Sequence, residues 1–188
     1  MILHPPPRSH RLGFAGLLSQ DRLATTLGRR LDDGFHWFRA VSPGGIEPID
    51  AVIVGPGGTW TLSMTGERGG FARRNGHWYR WNRSTDSWAP WDPAPITAAR
   101  LAGRRLNLFL ERAGLPADVE PILMPPMEMT VTAEPGDPLN LVIERDPERV
   151  AGLVSAEERL SGSQVDRIVA LLDPRQPLPQ LAPSTPRG

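Results

Sequence analysis

Cysteine and lysine are both missing from the sequence, and each absence removes a class of chemistry. Without cysteine there is no disulfide, no thiol nucleophile and no thiolate metal site. Without lysine there is no ammonium for Schiff-base chemistry or for a phosphate-gripping P-loop; all 21 basic residues are arginine. The four histidines, His4, His10, His36 and His77, are scattered without ligand spacing, which argues against a zinc site. A net charge of zero provides no global attraction to nucleic acid. No run approaches the ~18 apolar residues that cross a bilayer. The opening MILHPPPRSHRLG has no basic stretch followed by a long apolar one, so a cytoplasmic location with no membrane partner is expected.

What is present is ordinary for one globular domain: 188 residues, 39% hydrophobic and 22% charged, suffice for a sizeable core. Proline is concentrated at both ends, in HPPPRSH and in DPRQPLPQLAPSTPRG, where apolar periodicity is lacking and extended, solvated backbone is favoured. The expected organisation is a flexible N-terminus over 1–13, a domain over 14–173 and a disordered tail over 174–188.

Within the domain, Ser19 and Asp21 open a stretch in which Leu23, Leu27 and Leu31 recur at helical spacing, closing at Gly34. FHWFRAV, IDAVIVGP and TWTLSMT read as three strands of an antiparallel meander, the last two separated by Gly57 and Gly58. The segment from Gly69 to Pro93 holds four of the six tryptophans and is broken at Asn75-Gly76, a tight-turn signal, so short hairpins or an ordered loop are expected there. From Pro95, the positions Ala98, Leu101, Ala102, Leu106, Phe109 and Leu110 predict a helix that Gly114 stops. VEPILMPP and LNLVIERD have strand length, with MTVTAEP a weaker strand between them. Capping-box spacing occurs at Ser155/Glu158 and at Ser161/Gln164, and Val165, Ile168, Val169 and Leu172 form one face of a closing helix. Helix, three strands, helix, strands, helix describes an α/β fold with a mixed sheet flanked by helices.

From about Gly16 to Leu172 this order resembles the NERD (nuclease-related) domain, a branch of the restriction-endonuclease-like fold. The most specific part is Ile49-Asp50, an apolar strand, and Gly55-Pro56-x-Gly58. The resemblance implies that Asp50, with a glutamate and a lysine in a Glu-x-Lys pattern on the next strand, would hold a divalent metal and activate water. Hard carboxylate oxygens suit Mg²⁺, and the cation stabilises charge near a scissile phosphate. Here Ser63 and Thr65 fall at the glutamate and lysine positions. A Gly-Glu pair of the first helix is replaced by Ser19-Gln20, and an Asn-Pro-x-x-Gln motif by Ala94-Pro95-Ile96-Thr97-Ala98. One polar position of five survives.

Asp50 and Glu67 are therefore vestigial candidates for catalysis, with Arg68 a substitute cation. No metal or cofactor is expected, Mg²⁺ entering only if a divergent nuclease survives. Against that, Arg73, Arg74, Arg80 and Arg83 interleave with Trp78, Tyr79 and Trp81, followed by Trp88 and Trp91. Arginine and tryptophan anchor protein interfaces. They also hold single-stranded nucleic acid through phosphate contacts and base stacking, and Arg100 and Arg104 on the later helix are candidates to extend such a groove. The expected function is a catalytically inactive nuclease-related domain acting as a protein-interaction scaffold, with nucleic-acid binding as the alternative.

Overall fold

A computed structural model describes residues 1–5, 14–45, 47–134 and 139–173, apart from the side chains of 14–20 and 44. Most of the two proline-rich ends (6–13 and 174–188) and the Ser19-Gln20 side chains lie outside the described residues.

The meander is present as β2 (His36–Val41), β3 (Ile49–Gly55) and β4 (Gly58–Met64), paired antiparallel. It is extended by β8 (Val119–Met124), parallel to β4, and by the short β10 (Val142–Ile143), parallel to β8. β1 (Ile2–Leu3) adds parallel to β2, completing a six-stranded mixed sheet in the order β1-β2-β3-β4-β8-β10. Helices cover both faces. α1 (Phe14–Gly28) and α3 (Pro147–Val154) pack on Trp37, Ile53 and Leu62. α2 (Ala94–Arg112) and α4 (Gly162–Leu172) pack on Phe38, Val52 and Val54. This two-sided cover is why β3 reads as an unbroken apolar run instead of alternating. The expected mixed α/β architecture is thus the observed one.

The glycines of GPGG are dictated by packing. A Cβ on Gly55 would fall 2.2 Å from the Phe35 ring, and one on Gly57 only 1.8 Å from the Val154 carbonyl oxygen. The turn between β3 and β4 is gripped from outside, because the Pro56 carbonyl accepts the Arg159 and Leu160 N–H groups at 2.7 and 2.9 Å.

Several expectations are corrected. α1 begins at Phe14, so Ser19 and Asp21 lie within it and not at its start; Leu31 is buried but follows the helix. α2 buries Ala99 and Gly103 and turns Ala98 and Leu101 outward, because the helix comes close enough at Gly103 that a Cβ would meet Pro121 at 3.2 Å. Ser155 does not open a helix but closes α3, its hydroxyl donating to the Ala151 carbonyl at 2.8 Å. The sequence did carry a signal for α3: Asp146 caps it by accepting the Glu148 N–H, and Pro147 occupies the first turn. The capping box at Ser161/Gln164 is formed as expected. Residues 1–5 are not tail: Ile2 and Leu3 pair with His36 and Trp37, and His4 stacks on Phe38.

Between β4 and α2 the chain builds a second sheet from β5 (Gly69–Arg74), β6 (His77–Asn82) and β7 (Ser87–Pro90), joined by β9 (Met129–Ala133) in the order β7-β6-β5-β9. Asn75 and Gly76 both have positive φ (49° and 77°), the geometry of the tight turn expected there. Phe71 and Met129 seal this sheet onto Ile96 and Ala99 of α2 and Leu123 of β8.

Candidate functional site

Asp50 stands near the start of β3, one residue from the Ala51–Leu62 pair and so opposite Ser63. Its carboxylate accepts the Met64 N–H at 2.8 Å, bridging β3 to the end of β4. Burial pushes its pKa above the ordinary 3.8; the Met64 N–H pulls it back in part, and the charge of Glu47 raises it further. On the other side Asp50 faces Ala40, which is buried with a φ of 50° where β2 and β3 pair at Arg39–Ala51 and Val41–Ile49. An L-residue there costs on the order of 1 kcal/mol, so surrounding packing must hold it.

Glu67 is held elsewhere. Its N–H donates to the Thr65 hydroxyl at 3.1 Å, and its carboxylate lies 3.9 Å from the Arg80 guanidinium. Among the described residues, no three histidine, aspartate or glutamate side chains are grouped to hold a metal ion. The donors at this edge do not fit Mg²⁺. The ion usually takes one or two carboxylates, whereas Asp50 already accepts the Met64 N–H and the β4 residues beside it, Ser63 and Thr65, carry hydroxyls.

The second sheet separates the aromatic residues that sequence groups together. Strand alternation and the pairs Phe71–Arg80, Arg73–Trp78 and Trp81–Trp88 define the faces. Trp78 points inward, meets Trp91 edge-on at 5.8 Å, and packs with it against Phe71 and Met129. Both are half-buried against that core, and Trp91 also lines an open cleft, so they lie on the other face from Tyr79, Trp81 and Trp88. Tyr79, Trp81 and Trp88 lie on the outer face, each half-buried and none a member of a hydrophobic core cluster among the described residues. Trp81 and Trp88 form an edge-to-face pair at 5.3 Å, and the Arg74 guanidinium sits 5.0 Å over Trp88.

The arginines do not form one groove. Arg73 and Arg74 are consecutive in a strand and so take opposite faces. Arg80 and Arg83 line a cleft of about 750 Å³ with Trp81 and Trp91, together with Arg68, which sequence analysis had considered only as a substitute catalytic cation. Arg100 and Arg104 line a different cavity of about 530 Å³ with Val119 and Pro121. The division follows from tertiary packing, since Arg100 and Arg104 are on α2 where it meets β8, away from the second-sheet cleft.

No family model and no curated protein matches the chain. Among solved structures, it is similar to the crystal structure of a repair endonuclease from Pyrococcus abyssi, at 13% identity and a TM-score of 0.35. That match takes in 68% of this chain and spans about half (48%) of the other. At that level of likeness the function must be argued from the residues themselves.

Proposed function

We propose that this chain is a NERD-like domain of the restriction-endonuclease-like class that no longer hydrolyses nucleic acid and serves as a cytoplasmic protein-interaction scaffold. The class rests on Ile49-Asp50, Gly55-Pro56-x-Gly58 and the order of helix, meander, helix and parallel strand. One observation carries the loss of catalysis: the Asp50 carboxylate is committed to the Met64 N–H, next to Ser63 and Thr65 where hydrolysis would need an acid and a base. The contact surface is the outer face of the second sheet. Tyr79, Trp81 and Trp88 there offer large, rigid contact area of the kind that anchors interfaces.

The test has two arms. Incubation with single- and double-stranded DNA and RNA in Mg²⁺ or Mn²⁺ should leave every substrate intact; cleavage lost in Asp50→Ala would overturn the proposal. Trp81→Ala and Trp88→Ala should retain the wild-type Tm within a few degrees yet lose partner capture.

A nucleic-acid reading is favoured by one feature, the cleft in which Arg68, Arg80 and Arg83 surround Trp81 and Trp91. It requires salt-sensitive binding of single strands that quenches tryptophan fluorescence and is lost in Arg80→Ala/Arg83→Ala. Its absence leaves the scaffold.

A further inference from the structure

We propose that the cleft of about 750 Å³ beside β6 and β7, in which Arg68, Arg80 and Arg83 meet Ala89, Pro90 and Trp91, is a binding site for a phosphate monoester carried beside an aromatic ring. This site stands apart from the scaffold reading, which concerns the outer face of the sheet.

One of the three guanidiniums is already fixed. Arg80 donates through Nη2 to the Arg68 carbonyl at 3.2 Å, lies 3.9 Å from the Glu67 carboxylate through Nη1, and sits 5.6 Å over the Phe71 ring. The chain passes from Arg68 into β5 through Gly69, whose φ of 114° favours glycine and where a Cβ would stand 3.9 Å from Arg80 Nε. Arg68 and Arg83 are exposed and, among the described residues, neither guanidinium has an ion-pair partner. Guanidinium forks engage phosphate oxygens in pairs, so one fixed fork with two unpaired ones in the same cleft suits a phosphate. Trp91 supplies the other half. It is half-buried, its ring braced by Phe71 at 4.1 Å and by Trp78 at 5.8 Å, and its backbone N–H donates to the Trp78 carbonyl at 3.0 Å. A ring so held, with Ala89 and Pro90 in the same lining, is a rigid apolar wall for a flat group, and the volume lies within the ~300–1,000 Å³ of small-ligand sites.

Charge decides which anion fits. The three guanidiniums share their surroundings with two carboxylates, Glu128 in the lining of the cleft and Glu67 against Arg80, so only one positive charge is in excess. A phosphate monoester carries about −1.5 to −2 at neutral pH, a load that one compact group of guanidiniums can hold. A nucleic-acid strand brings a phosphate with every nucleotide, and its further phosphates find no further arginine in the cleft. The balance favours a single phosphate over a strand.

Two carriers present this chemistry, a phosphotyrosine side chain and a mononucleotide. The full chain is titrated with N-acetyl-phosphotyrosine amide and with adenosine monophosphate, following the six tryptophan indole N–H signals by NMR. Tyrosine amide, adenosine and a short single-stranded DNA with hydroxyl ends serve as comparators. At least one phosphorylated compound should shift the Trp91 signal saturably while those of Trp37 and Trp60 stay, and its unphosphorylated counterpart should shift none; the tighter of the two identifies the carrier. Arg68→Gln/Arg83→Gln should weaken binding about tenfold or more, as expected for the loss of charge-assisted hydrogen bonds. Glu128→Gln should strengthen it several-fold, a gain that a misfolded variant cannot show. The proposal is overturned if neither compound moves Trp91, if tyrosine amide and adenosine bind as tightly as their phosphates, or if Arg68→Gln/Arg83→Gln binds like the wild type. DNA that binds more tightly than both, and loses that binding in the same variant, gives the cleft to the nucleic-acid reading instead. If no phosphorylated compound binds while Trp81→Ala abolishes partner capture, this site falls and the scaffold stands; the converse result removes the scaffold and leaves the site.

Discussion

Asp50 separates a structural carboxylate from a metal ligand, and two substitutions tell them apart. Asp50→Ala removes the acceptor that bridges to the Met64 N–H at 2.8 Å. Hydrogen bonds to charged groups contribute about 1.5–3 kcal/mol, on the order of 5 °C in Tm for a domain of this size. Asp50→Asn keeps an oxygen acceptor of the same shape and abolishes ionisation. The folded-state pKa of Asp50 is raised above its ordinary 3.8, chiefly by burial. Between the unfolded and folded values the folded state therefore holds the extra proton. Stability contributed by this group is lost as pH rises through that window, and the wild type lies on its lower plateau above it. Asp50→Asn lacks this loss, so its stability relative to wild type should improve as pH rises from 3 to 7. Urea unfolding followed by tryptophan fluorescence reads both effects. A metal ligand predicts otherwise: a site with a Kd near 1 mM would add about 1.4 kcal/mol at 10 mM Mg²⁺. If Mg²⁺ raises the wild-type Tm and not that of Asp50→Asn, and the two substitutions are equally destabilising, the structural account of Asp50 is refuted.

Four further outcomes are expected. Gly57→Ala drives a methyl into the Val154 carbonyl and should cost more than ~3 kcal/mol. Gly152→Ala, where a Cβ in mid-α3 meets nothing within 4 Å, should raise stability by about 0.5–1 kcal/mol, and equal effects of the two in a thermal melt would contradict the packing described. Thr61→Val should stabilise by roughly 1 kcal/mol, because the fully buried Thr61 hydroxyl has no hydrogen-bond partner among the described residues; a fall in the urea midpoint at constant slope would show that the hydroxyl is satisfied. The pKa of His36 is depressed below 6.5 by burial, then by His4, against Asp166, with the N-terminus also lowering it. Stability should therefore drop as pH falls from about 6.5 toward the folded value, and the protection of the Ile2 and His4 amides, corrected for the intrinsic pH dependence of exchange, should fall there; constant protection between pH 7 and 5 would refute this.

Much of the fold was legible because its signals are local. The apolar runs of β3 and β4 around a glycine-rich turn, Asn75-Gly76, and the Ser161/Gln164 capping box each contain their own instruction within a few residues. α3 was missed although Asp146-Pro147 announced it, since eight residues provide only two turns of periodicity. Of the site, residue types sufficed to show that Ser63 and Thr65 supply hydroxyls and neither a carboxylate nor an ammonium. They could not show that Asp50 is occupied by Met64, or that Glu67 is held near Arg80. What the sequence by itself determined is therefore the order of the meander, the long helix after it and the closing helix, the hydroxyl residues at 63 and 65, and the concentration of arginine and tryptophan in one segment. The tertiary structure alone decided that Trp78 and Trp91 pack against the core on the inner face, that Tyr79, Trp81 and Trp88 face outward, and that Arg100 and Arg104 line a separate cavity. Alternation along a strand says only that neighbours point to opposite sides; which side is buried depends on α2 and β8, brought against the sheet from distant parts of the chain.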